Sequence, residues 1–142
     1  MKRTSKPLNM RDYVGLQTGI RLRRVASQMT KAMHTANADA VHDLRVAIRR
    51  LSRCLRVFAQ FYPGPSRKQL RRHLANLLDF CGGVRDRDIA IGLLRKAGVA
   101  ANSPLVRRLD AERRAAGREL QLELQGWKPR GFTRRWRNQL EL

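Results

Sequence analysis

Four arginines and a histidine recur with a fixed rhythm in the stretch VHDLRVAIRRLSRCLRVF. His42, Arg45, Arg49, Arg53 and Arg56 follow steps of three, four, four and three, with Arg50 beside them. On a helix those steps share an arc of roughly 80°, and neighbouring Cβ atoms lie about 5–6 Å apart. Like charges so close repel along the whole row, and Asp43 is the one acid nearby in sequence to relieve them. A helix face built only for solubility mixes Glu with Lys as pairs one turn apart. A row of one sign suits a polyanion instead, because the guanidinium fork meets phosphate oxygens two at a time. That chemistry is recognition rather than reaction. The three histidines, two cysteines and scattered acids form no nucleophile–base pattern, no metal-ligand spacing and no glycine-rich phosphate loop. No enzymatic activity, metal or cofactor is expected.

The same stretch carries a second rhythm. Val41, Leu44, Ile48, Leu51, Leu55 and Phe58 fall within an arc of roughly 100° and form a core face flanking the cationic row. One helix therefore packs and presents charge at once, and other helices must position it. The spacing predicts helix one over about Arg11 to Thr35, with Val14, Ile20, Val25, Met29 and Met33 inward. Helix two is capped by Asp39 and runs to about Phe61. YPGP breaks it, and Ser66 caps helix three, which Gly82 and Gly83 end by a left-handed turn. Helix four covers about Asp86 to Ala97. Helix five begins at Ser103 and Pro104 and runs to about Gln125, and a short terminal helix lies in FTRRWRNQLEL. Leu70, Leu74, Leu77 and Leu78 in helix three, and Leu105, Leu109, Ala116 and Leu120 in helix five, form apolar stripes. The fold class is all-α, an antiparallel helical bundle. Its 142 residues make a single domain, with the motif-bearing core at about 11–97 and the last helices at about 103–142.

The bulk charge agrees with the row. The chain holds 31 Lys and Arg, mostly Arg, against 11 Asp and Glu, a formal net charge of +20. Nucleic acid, polyphosphate and anionic membrane are the partner classes this favours. Helix one adds Arg21, Arg24 and Lys31, with Gln17 and Gln28 in the same rhythm, and helix three adds Lys68, Arg71, Arg72 and His73. Aligned rows on adjacent helices would make a cationic groove that holds a flexible anion without reading bases. Cys54 and Cys81 sit in apolar contexts without CxxC spacing and read as small core residues. No run approaches the roughly 18 apolar residues of a membrane span. The basic start lacks the apolar stretch of a secretory signal, so the expectation is a reduced, cytoplasmic protein.

The His-x-x-Arg-x-x-x-Arg-Arg core of helix two (His42, Arg45, Arg49, Arg50) is followed by a Leu-rich helix with Leu77, Leu78 and Gly82, and then by RDRD at 85–88. In this combination the chain resembles the CHAD family, histidine-containing α-helical domains that bind inorganic polyphosphate. The resemblance implies a non-catalytic domain gripping polyphosphate with basic side chains along helices, and an association with polyphosphate granules. His42, Arg45, Arg49, Arg50, Arg53 and Arg56 are then the ligand row, with Arg21, Arg24, Lys31, Arg71 and Arg72 from flanking helices. Arg85 and Arg87 reach the same groove, and Asp86 and Asp88 cap helix four and orient them. Family members have two helical-bundle halves, each with its own motif. Here no second copy follows Ala97, and helix five offers only VRRLDAERRAAGR. The chain thus resembles the N-terminal half of a double four-helix bundle, and a homodimer is expected to supply the missing half. Some CHAD proteins also carry a triphosphatase domain, but ELQLEL at 119–124 lacks its pattern of glutamates followed by lysine.

Sequence-nonspecific nucleic-acid binding is the alternative. Two Trp, two Tyr and four Phe leave no visible interleaved platform for stacking bases. Membrane-surface binding would rest on Phe132, Trp136 and Leu140 opposite Arg134, Arg135 and Arg137. The same apolar stripe, with Trp127, would equally serve to dock a partner subunit.

Overall fold

A computed structural model describes residues 9–142, and these contain helices and no strand. The basic start read above, residues 1–8, lies outside the described residues. Five α-helices succeed one another: α1 (Met10–His34), α2 (Ala38–Val57), α3 (Gly64–Lys96), α4 (Pro104–Trp127) and α5 (Phe132–Gln139), with a single 3₁₀ turn at Ala59–Phe61. Short connections make α1 to α4 antiparallel neighbours, and α4 returns against α1 to close a four-helix bundle. The short α5 lies across α1.

One continuous core joins all five helices. Leu22, Val25 and Met29 of α1 meet Leu44, Ile48 and Leu51 of α2, Leu70, Leu74 and Leu77 of α3, and Leu120 and Leu124 of α4, all fully buried. Cys54 and Cys81 are buried free thiols, as the sequence suggests. Some inward assignments need amendment. Ile20 and Leu105 are exposed, and Met33, Phe58, Leu78, Leu109 and Ala116 are only half-buried.

The largest departure is at Gly82 and Gly83, which lie inside one continuous helix, α3. Glycine there weakens the helix locally, but Cys81 and Val84 on either side are buried in the core, and that packing outweighs propensity. Asp86 and Asp88 consequently sit in a helix interior and cap nothing. The left-handed stop comes instead at Gly98, with φ +81°. There Gly98 N–H donates to the Arg95 carbonyl and Val99 N–H to the Leu94 carbonyl, closing α3. Other caps shift slightly. Asn37, not Asp39, accepts from the Ala40 N–H at the start of α2, and α3 begins after Pro63 with no side-chain cap, leaving Ser66 within its first turn. Ser103 caps α4 as expected, accepting from the Val106 N–H at 3.3 Å.

The C-terminal segment folds onto its own chain. Phe132, Trp136 and Leu140 are buried, and the ring of His73 meets both Trp127 and Trp136 edge to face. The apolar stripe that the sequence offers to a membrane or a partner subunit is therefore used internally. Between α2 and α3, buried Tyr62 is pinned to α1 through a 2.6 Å hydrogen bond between its hydroxyl and that of Thr18, which itself donates to the Val14 carbonyl.

Two substitutions test the continuity of α3. A Cβ on Gly82 meets nothing within 4 Å, so Gly82→Ala is expected to stabilise the protein by about 0.5–1 kcal/mol. Gly98→Ala forces a side chain into the left-handed region and is expected to cost about 1 kcal/mol. Thermal melting followed by circular dichroism should move the two variants in opposite directions; a Gly82→Ala variant melting lower would mean the helix breaks there.

Candidate anion-binding site

Helix α2 divides its surface as its two rhythms require. Val41, Leu44, Ile48, Leu51 and Leu55 are buried, while His42, Arg49, Arg50, Arg53 and Arg56 are exposed. Because α2 packs between α1 and α3, the cations at the edges of the row look into two different troughs.

The trough towards α3 is built around Arg45. Its Nε and Nη1 are buried, and no protein group accepts a hydrogen bond from either. Burial, then Arg85 and then Arg49 pull its guanidinium below the ordinary arginine range. Two groups oppose them, and neither neutralises the charge. Cys81 is fully buried, and desolvation pushes its thiol up to about 12 despite Arg45 nearby, so it stays uncharged at neutral pH. Asp86 is exposed and is the weaker of the two influences. A small cavity of about 90 Å³ opens here, lined by His42, Arg45, Arg85 and Asp88 among others.

Asp88 does not compensate this cavity either, because Arg113 from α4 holds it. Arg113 Nε lies 3.0 Å from Asp88 Oδ1, Nη2 lies 3.5 Å from Oδ2, and the same Nη2 donates to the Ala36 carbonyl at 2.6 Å. One side chain thereby ties α4 to α3 and to the turn before α2. Nearby, Gln121 Nε2 donates to the Met33 carbonyl at the end of α1. The sequence reading assigned neither residue a role.

The trough towards α1 holds two cavities that share Arg50. One, of about 310 Å³, includes Arg21, Arg50 and Arg53 in its wall. The other, of about 410 Å³, includes Arg24, Gln28, His42 and Arg50. Gln28 Oε1 is buried there without a donor. His42 thus borders both troughs at the start of α2.

Several expected ligands stand apart. Lys31 is engaged with Asp43 at 3.4 Å, an exposed pair of small energetic weight. Arg87 turns towards α4, with Nη1 donating to the Gly83 carbonyl at 3.2 Å and Nε 3.7 Å from Glu112 Oε2; it does not join Arg85. Arg71 lies fourteen residues before Arg85, about four turns away on nearly the same flank of α3. Arg71, Arg72 and Arg56 are exposed and border none of these three cavities. The structure thus brings together His42, Arg45, Arg49 and Arg85 on one flank, and Arg21, Arg24, Arg50 and Arg53 on the other.

Among the described residues no helix is long and apolar enough to cross a membrane. The family model for the CHAD domain matches residues 19–141. No curated protein and no solved structure matches the chain.

A half-buried guanidinium with two nitrogens lacking an acceptor opposes folding until an anion arrives. Arg45→Met, close in volume and uncharged, is expected to raise the melting temperature by several degrees in low salt without added anion. Added tripolyphosphate should stabilise the wild type more than the variant. A variant melting well below the wild type would show that Arg45 has a structural partner within the fold.

Proposed function

This chain belongs to the CHAD family, whose domain is associated with polyphosphate binding, and we propose that it binds inorganic polyphosphate on the cationic face of α2 without catalysing its turnover. The observation that carries this reading is the Arg45 guanidinium, buried at two nitrogens with no acceptor. A desolvated guanidinium forms strong charge-assisted hydrogen bonds, and the anion that supplies the acceptors relieves the repulsion from Arg49 and Arg85 at the same time. Arg45 and Arg49 are one turn apart, a rise of about 6 Å, so successive phosphates of a flexible chain can meet successive side chains. His42 adds donor capacity at the head of the row. A linear polyanion carries a charge at every unit and needs no recognition of bases, which matches a cavity lined by two guanidinium forks and no Tyr, Phe or Trp.

Nucleic acid would also be drawn by the charge, since any polyanion releases counterions on binding. Competition at matched phosphate concentration and about 0.15 M salt separates the two. Long-chain polyphosphate is expected to displace duplex DNA, RNA and heparin; DNA binding that is equally tight and discriminates between sequences would overturn the assignment. Arg45→Ala combined with Arg49→Ala is expected to remove about 1.5–3 kcal/mol of binding per lost contact, at least a tenfold loss of affinity. Helical content should be preserved. Unchanged affinity in that double variant would place the site elsewhere.

A further inference from the structure

The 310 Å³ cavity between α1 and α2 differs from the Arg45 cavity in having Tyr and Phe rings in its lining. Its lining combines Tyr13, Val57 and Phe58 with Arg21, Arg50 and Arg53. The rings of Tyr13 and Phe58 meet edge to face, 6.2 Å between centroids at 83°. Tyr13 is 43 % exposed and Val57 64 %, so both are available at the mouth. None of the three arginines takes part in an ion pair among the described residues. The wall is also held in place. The Tyr62 hydroxyl is bonded to Thr18 of α1 at 2.6 Å, which anchors the segment carrying Phe58 just before it.

A bare phosphate chain satisfies only half of such a pocket, because it leaves the aromatic wall facing water. A ligand with a flat apolar body and two or more phosphates uses both sides. Its ring can lie on the exposed face of Tyr13, and its phosphates can reach the three guanidinium forks. The volume is within the range of ordinary small-molecule sites, with the mixture of apolar wall and few convergent polar groups that such sites have. We propose that this pocket binds a nucleoside di- or triphosphate, with the base on Tyr13 and the phosphates on Arg21, Arg50 and Arg53. The site is separate from the polyphosphate reading and does not depend on it, since Arg45, Arg49 and Arg85 do not line it.

Calorimetric titration of the full chain with ATP and with tripolyphosphate tests the proposal. The variants are Tyr13→Ala, Val57→Asp and the double variant Arg45→Ala with Arg49→Ala. Tyr13→Ala is expected to weaken ATP about tenfold, the worth of one stacked base, and to leave tripolyphosphate within about twofold. Val57→Asp places a carboxylate one helical turn from Arg53, where it competes with the phosphates, and should weaken ATP by tenfold or more at a largely exposed position that folding tolerates. The Arg45/Arg49 double variant should bind ATP normally while losing long-chain polyphosphate. Absence of ATP binding by the wild type overturns the proposal. So does ATP affinity that ignores both Tyr13→Ala and Val57→Asp, or a Tyr13→Ala loss of the same size for ATP and tripolyphosphate.

Discussion

The contact on which the rest of the site depends is the grip of Arg113 on Asp88. Asp88 is the carboxylate lining the Arg45 cavity, together with Arg85. Arg113 occupies both of its oxygens from the α4 side, through Nε and Nη2, and Nη2 also holds the Ala36 carbonyl. Three elements are thereby fixed relative to one another: α3, α4 and the turn that launches α2. The pair is partly buried, so its geometry is less exposed to screening than a surface bridge. With its acid engaged from behind, the cavity keeps an unspent positive charge facing outward. Such a charge recruits an anion where a satisfied ion pair would not.

That arrangement explains how a chain of such charge holds a fold at all. Every helix contributes large apolar groups to one shared core, and the buried set contains no Asp, Glu, His, Lys or Arg side chain. Repulsion among the arginines is carried at the surface, where water and salt reduce it. Arg45 departs from this, with two guanidinium nitrogens buried without an acceptor and with Arg85 and Arg49 acting on it more strongly than Asp86 does. A site that strains the unliganded protein is one where ligand binding and stability are linked, because an anion bound only by the folded state adds to its stability.

Most of the architecture was legible in the sequence, and the misreadings share a cause. The two rhythms of α2, the Ser103–Pro104 start of α4 and the short terminal helix all followed from spacing and caps. The break placed at Gly82–Gly83 did not, because local propensity favours a stop there and only tertiary packing of Cys81 and Val84 overrides it. Breaking α3 also lost its phase. Read as one helix, Leu70, Leu74, Leu77, Cys81, Val84 and Asp88 follow steps of four, three, four, three and four. Val106, Arg113, Gly117, Leu120 and Leu124 continue a matching stripe on α4. An acid and a base on facing core stripes of neighbouring helices are a pair in waiting, so the Asp88–Arg113 contact had a sequence signal that the false break concealed. The same slip assigned Arg87 to the groove, although the two residues that separate it from Arg85, about 200° of helix, turn it towards Glu112.

The division of the cationic row into two flanks had no signal in α2 alone, since it depends on which neighbour lies on which side. Arg45 and Arg50 are five residues apart, about 140° around the helix. With α3 beside one and α1 beside the other, two side chains of a single motif serve different cavities. What distinguishes those cavities is then supplied by the neighbours. On the α3 side these are Arg85, a protonated Cys81 and an engaged Asp88, leaving a recess that holds two guanidinium groups and no Tyr or Phe ring. On the α1 side they are Tyr13 and the Phe58 that follows α2, which add an apolar surface that phosphate alone cannot use. A helix whose own sequence encodes only charge and core thus acquires two chemically distinct anion-facing surfaces through packing.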